Sequence, residues 1–292
     1  MKQVFLVILL AFGFVAGAQN VTVRKPKKQK PATTQVAPKK HKSQSKPTKG
    51  GTVKRVATKA SYSNGTLTVN GIKYSMVWVE GGTFRMGATS EQGSDAESDE
   101  KPVHSVTLSG YYIGKTEVTQ ALWKVVMGSN PSSCKGDNLP VEQVSWNDCQ
   151  KFIRKLNSLT GQNFRLPTEA EWEFACRGGN NSRGYKYSGS NYIDNVAWYD
   201  GNSGDKTHPV GTKAPNELGI YDMTGNVWEW CADWYGDYSS GAQTNPKGPY
   251  DGSCRVNRGG GWGSLARLCR SSNRCYSYPT YRDGSLGLRL AL

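Results

Sequence analysis

Two carboxylates seven residues apart, Asp222 and Glu229, flank a Gly-Asn turn in the segment Gly-Ile-Tyr-Asp-Met-Thr-Gly-Asn-Val-Trp-Glu-Trp (219–230). Acidic side chains around a short loop with freed backbone carbonyls suit a hard, oxygen-seeking cation such as Ca²⁺. Two indoles, Trp228 and Trp230, lock the turn. A turn cap at Asp222 and a surface acid at Glu229 would give the same pattern without a metal. Upstream, Asp-Gly-Asn-Ser-Gly-Asp (200–205) is turn-forming in its own right.

Other reactive groups are sparse. The seven cysteines, at 134, 149, 176, 231, 254, 269 and 275, contain no Cys-x-x-Cys. That spacing supports neither a zinc ribbon nor a thioredoxin-type site. In an oxidising compartment several would pair, Cys254 with Cys275 among the options, and an odd count leaves one over. Three histidines, 41, 104 and 208, are scattered and suit structural roles. Neither a nucleophile elbow nor a glycine-rich nucleotide loop occurs. Ser264 has no neighbouring base in the sequence. The Trp-rich turns (Trp198, Trp228, Trp230, Trp234, Trp262) could form a platform for glycans or peptides, or anchor loops in the core.

The elements that must position these groups read as α+β. Residues 63–74 alternate in period two around Asn-Gly turns, predicting a hairpin that continues as a strand through residue 80. Further strands are predicted at 81–87, 103–108 and 111–118, with an acidic loop at 88–101. Thr119 caps a helix through Trp123 and Val126. Ser145 or Asn147 caps a second, with Phe152, Ile153 and Leu156 on one face. Thr168 and Glu171 form a capping box for a third, ending at Cys176. Beyond residue 178 loops and short strands dominate, and loops of that length need anchors such as metal ions or Trp clusters.

Composition divides the chain of 292 residues into three parts. Residues 1–20 combine Lys2, an apolar run and a small-residue site, Ala-Gly-Ala (16–18), as a secretory leader does. The apolar run is too short for a transmembrane segment. Residues 21–60 hold 13 Lys and Arg and no acid. Of 37 basic residues, the 13 there and Lys2 account for the net charge of +14, so residues 61–292 are neutral overall. A Lys/Pro/Thr/Gln/Ser tract cannot bury enough apolar surface to fold. It is a solvated linker or a contact for an anionic surface polymer. The tract lacks aromatics, which argues against nucleic acid. The remaining segment suffices for one sizeable core.

A series of blocks resembles the formylglycine-generating enzyme (sulfatase-modifying factor) family. They are Gly-Gly-Thr-Phe-Arg-Met-Gly (81–87), Lys-Thr-Glu-Val-Thr (115–119), Pro-Val-Glu-Gln-Val-Ser-Trp-Asn-Asp (140–148), Arg-Leu-Pro-Thr-Glu-Ala-Glu-Trp-Glu (165–173), the 216–230 segment, Arg-Gly-Gly-Gly-Trp (258–262), Cys-Arg-Ser (269–271) and Gly-Leu-Arg (287–289). The resemblance implies a compact C-type-lectin-like fold. It also implies two Ca²⁺ sites. One maps onto Asn195, the Val196 carbonyl, Asp205 and the Thr207 carbonyl. The other maps onto Asp222, the Gly225 and Val227 carbonyls, and Glu229. The family's enzymes oxidise a substrate cysteine to formylglycine with two copper-binding cysteines, five positions apart after a glycine-rich turn. Here the first position is Ser264. The second is Cys269, or else Cys269 belongs to the downstream Arg-Ser block and the active-site loop is shortened. Either way the thiolate pair that holds Cu(I) is incomplete. The resemblance further suggests a Cys176–Cys269 disulfide, worth about 4–5 kcal/mol through loop closure.

These readings converge on an exported protein, periplasmic or at the cell surface, that acts as a non-catalytic, Ca²⁺-stabilised binding or structural module. Its partners would be an envelope protein, a glycan or an anionic polymer. The alternative is an oxidase converting a sulfatase cysteine to formylglycine.

Overall fold

A computed structural model describes residues 58–292. The leader and most of the basic segment expected from the sequence lie outside the described residues. Strands β1 (Ala60–Ser63), β2 (Thr66–Val69) and β3 (Ile72–Val79) form a meander. Its two turns place Asn64-Gly65 and Asn70-Gly71 at positive φ, as tight hairpins joining right-twisted strands require. The predicted hairpin is therefore present and gains a third strand. Strands β4 (Gly82–Met86) and β5 (His104–Leu108) pair antiparallel, and β6 (Tyr111–Gly114) joins β3. β6 is shorter than predicted, because residues 115–118 turn inward to carry Glu117 and Val118 into the core.

The three predicted helices are α1 (Gln120–Met127), α2 (Trp146–Thr160) and α3 (Glu169–Cys176). Each N-cap is the expected hydroxyl: Thr119 accepts from Leu122, Ser145 from Asp148 and Thr168 from Glu171. Of the two candidates before α2, Ser145 takes the cap, because Asp148 completes a capping box with it. A single turn, α4 (Ile193–Val196), follows. The later strands are β7 (Trp228–Trp234), β8 (Gln243–Thr244), β9 (Arg255–Arg258), β10 (Arg274–Ser277) and β11 (Leu286–Gly287).

Three small sheets result, ordered β1-β2-β3-β6, β10-β9-β7-β11 and β4-β5-β8. One core joins the meander to α1, α2 and Trp230, with Trp123 stacked on Phe152 at 4.8 Å. A second core packs α3 against β4, β5 and β7 through Trp172, Phe174 and Val106. Residues 288–292 stitch the two halves, since Gly114 donates to Leu290 and Ala291 exchanges bonds with Arg165. Among the described residues no helix is long and apolar enough to cross a membrane.

Candidate functional site

The Gly-Asn turn is built as the sequence suggests, and it is more buried than a surface cation loop. Asp222, Gly225 and Asn226 all adopt positive φ. A Cβ on Gly225 would stand 2.3 Å from the Trp198 carbonyl oxygen, so only glycine fits. Asn226 ties the turn to its surroundings. Its Oδ1 accepts from the His208 N–H (2.9 Å), and its Nδ2 donates to Glu117 Oε1 (3.0 Å). Its carbonyl accepts from the Trp262 N–H at 2.7 Å.

Three buried carboxylates meet here: Glu117, Asp222 and Glu229. Arg289, also fully buried, is the guanidinium among them. It binds Glu229 at 2.6 Å and the carbonyls of Gly114 (2.8 Å) and Tyr221 (2.9 Å). The Trp172 indole N–H donates to the other Glu229 oxygen at 2.7 Å. Glu229 is thus engaged by protein donors on both oxygens. Asp222 accepts from the Gly211 N–H at 2.6 Å. Glu117 Oε2 is buried without a partner. Burial, reinforced by Asp222, raises the Glu117 carboxyl well above the usual range, and burial raises Asp222 as well. Sequence reasoning did not single out Glu117. Its only signal was a place in the Lys-Thr-Glu-Val-Thr block.

The second expected ligand set lies in one loop. Asn195 and Val196 are on α4, Asp205 follows Gly204 in a left-handed turn, and Thr207 is buried. The Asn195 carbonyl already accepts from Ala214 (2.9 Å), and Thr207 Oγ1 has no partner. Among the described residues, neither this loop nor the Glu117, Asp222 and Glu229 cluster forms a group of three His, Cys, Asp or Glu side chains arranged to hold a metal ion. Ca²⁺ coordination here would draw on carbonyl and amide oxygens beside few carboxylates, which is within its habit.

The two positions matching the family's cysteine pair are held in ordinary packing and turn contacts. Ser264 Oγ accepts from the Gly261 N–H at 2.9 Å and closes the glycine turn. Cys269 is fully buried with Tyr187 and Val196, and its sulfur packs on Gly260, where a Cβ would come within 2.4 Å. Burial pushes its thiol up to about 12. The Cys176–Cys269 bond expected from the resemblance is not formed; all seven cysteines are free thiols. Cys176 instead contacts the Met223 carbonyl at 3.7 Å. Both sulfurs act as small apolar fillers in separate contacts. A Cys254–Cys275 bond is excluded by strand register. Cys275 lies opposite Asn257, three residues along from Cys254. That is about 10 Å at the strand rise, beyond disulfide reach.

The remaining motif residues are anchors. Arg258, Arg270 and Arg289 are fully buried and pair with Glu173, Glu100 and Glu229. The indoles do likewise: Trp230 donates to the Val144 carbonyl (3.0 Å), Trp262 to that of Gly284 (2.9 Å), and Trp198 stacks on His208 at 3.7 Å.

Residues 67–292 match the sulfatase-modifying factor enzyme 1-like domain. The chain is 38% identical to chaperone protein LppX of Paenibacillus barcinonensis, covering 77% of this chain and 89% of that protein. It is 30% identical to the formylglycine-generating enzyme of Streptomyces coelicolor, over 74% and 88% respectively. Among solved structures, Treponema denticola variable protein 1 superposes with a TM-score of 0.69 at 36% identity, covering 77% of this chain and 97% of that one. The fold is the compact C-type-lectin-like one that the motif blocks implied. Ordered blocks, domain match and superposition agree: the chain belongs to the sulfatase-modifying factor (formylglycine-generating enzyme) family.

Proposed function

We propose that this protein is a binding or structural module of the cell envelope that keeps the family fold without its copper oxidase chemistry. The observation that carries this reading is the sulfur content at the family's cysteine positions. A hydroxyl stands at Ser264, and the thiol at Cys269 is buried and pushed up to about 12. Cu(I) requires soft thiolate ligands, and such a thiol stays protonated at neutral pH. Relatives named as a chaperone and as a variable protein support a role other than oxidation.

Ca²⁺ is the fitting structural ion. When bound it supplies positive charge and cross-links loops. Asp222 and the Gly225 and Val227 carbonyls would hold one ion, with Glu117 in place of the expected Glu229, whose oxygens are taken by Arg289 and Trp172. Asn195, Asp205 and the Val196 and Thr207 carbonyls would hold another. The unpartnered Glu117 oxygen supports the first site. The leader-like residues 1–20 support export, and the basic residues 21–60 support contact with an anionic envelope polymer.

The test is to incubate the purified domain with Cu(I) and a Cys-x-Pro-x-Arg peptide. The expected result is no retained copper and no aldehyde. Aldehyde formation that Cys269→Ala abolishes would overturn the reading in favour of a formylglycine-generating oxidase. Retention on lipopolysaccharide vesicles, lost on deleting residues 21–60, checks the proposed polymer contact.

A further inference from the structure

A second constellation lies away from Ser264 and Cys269. A cavity of about 510 Å³ opens between the start of α3, β5 and the loop 236–249. Asp233 and His104 line it, yet they are only 4% and 2% exposed. Whatever solvent reaches them does so through this opening.

Asp233 owes its position to an irregularity in β7. Trp230 stands opposite Asn257 and Trp234 opposite Arg255, so β7 carries extra residues between them. Such bulges re-aim side chains beside binding sites. One Asp233 oxygen accepts from the Glu169 N–H at 2.9 Å. No other hydrogen bond and no ion pair reaches this carboxyl among the described residues. Lys247 and Arg274 also line the cavity, and neither forms an ion pair with Asp233. Arg274 binds both Glu169 oxygens and the carbonyls of Asp99 and Gly236. Arg255 lies between Trp146 and Trp234, donates to the Ala232 carbonyl through Nη1 and keeps an unpartnered Nε, feeling the Asp233 charge without forming an ion pair with it.

His104 supplies a second acceptor. Its Nδ1 is 3.0 Å from the Pro102 carbonyl, which can only accept. Nδ1 therefore donates to that carbonyl, which leaves Nε2 as the ring nitrogen open to a ligand. No described residue donates to Nε2. A buried acid that forms no ion pair, in the same cavity as an imidazole, calls for a donor-rich, positive ligand. Burial, with Glu169 adding to it, raises the Asp233 carboxyl to about 8, as expected for an acid lacking its counter-charge. Met86, Ala170, Pro246 and Pro249 give the same cavity apolar walls.

We propose that this cavity binds a primary alkylammonium group, with Asp233 and His104 as acceptors and the apolar walls against the alkyl stem. The site is independent of whether the chain is an oxidase. A free diamine and a lysyl side chain share this chemistry. The experiment is calorimetric titration of the domain with 1,5-diaminopentane, with Nα-acetyl-lysine methylamide and with 1-pentanol as the uncharged analogue. At least one amine should bind, pentanol should not, and Asp233→Asn should weaken the amine tenfold or more. Tighter diamine binding identifies a free amine as the ligand; tighter lysine-amide binding identifies a peptide side chain. Absence of binding by either amine, equal binding of pentanol, or unchanged affinity in Asp233→Asn would overturn the proposal. Should Asp233→Asn fail to fold, the contrast between amine and pentanol on the unaltered domain decides, with His104→Gln as the second variant.

Discussion

Trp172 touches two buried charge clusters that are matched in opposite ways. Its ring lies 5.2 Å from the Arg258 guanidinium, and its indole N–H binds Glu229. On the Arg258 side each guanidinium has a carboxylate: Arg258 with Glu173, Arg274 with Glu169, Arg177 with Glu91 and Glu173. On the Glu229 side, Glu117, Asp222 and Glu229 face Arg289 alone. The difference shows up in proton affinity. Although burial opposes it, Arg274 and Arg258 hold Glu169 below the usual carboxylate range, whereas Glu117 and Asp222 are raised. A balanced cluster is a mechanical joint. An unbalanced one keeps buried acids whose affinity for protons is raised.

The sharpest way to break the comparison is to remove an arginine from each side. Arg258→Ala removes one of the two guanidiniums on buried Glu173, leaving Arg177 alone, and should cost about 3–5 kcal/mol in denaturant unfolding. Arg289→Ala should cost at least as much, because it leaves three acids together. Equal, small losses would show that burial of these charges is not the determinant. Next comes Ca²⁺. At a hundredfold excess over its Kd it should stabilise the domain by about 2.7 kcal/mol, seen as a rise in Tm that chelation reverses. Glu117→Gln should cut that rise to the share of the Asn195–Asp205 site, while Arg258 variants keep the full response.

pH separates the regions further. Asp233 is raised from 3.8 to about 8, so the folded state binds a proton that the unfolded state has released. Its contribution is complete below about pH 4 and is lost as pH rises towards 8, with a slope of at most about 1.4 kcal/mol per unit. Asp233→Asn should flatten that slope in unfolding measured from pH 5 to 8. Glu169, lowered from 4.5, acts in the opposite sense and only in acid, losing stability as pH falls. The smallest effect belongs to an exposed pair, Lys124–Asp137 at 2.6 Å. Asp137→Asn should change stability by less than about 1 kcal/mol.

How far the sequence disclosed this arrangement depends on distance along the chain. The helix caps at Thr119, Ser145 and Thr168 and the Asn-Gly turns are local signals, and they were legible. Gly225 was legible as a turn residue, though the Trp198 carbonyl that forbids a side chain was not. Glu117 was overlooked because its partners lie more than a hundred residues away: Asn226 is 109 positions on. Arg258, Arg270 and Arg289 stood in motif blocks with no role assigned to them. Only burial shows them to be anchors. The expected disulfide misled for a related reason. A cysteine in a family position reports where sulfur packs, not whether it pairs. Beyond residue 178 strands are short and held by ion pairs, so periodicity had little to report.

The stitch made by residues 288–292 bears on how the chain reaches this state. Arg289 caps Gly114 from 175 positions later, and Leu288 accepts from Val118. During synthesis the edge of β6 emerges long before its covering strand exists. Contacts of such sequence separation slow folding and leave an unpaired edge available to other nascent chains. The β6 edge therefore gains its last backbone partners only with residue 292, which exchanges both bonds with Tyr112.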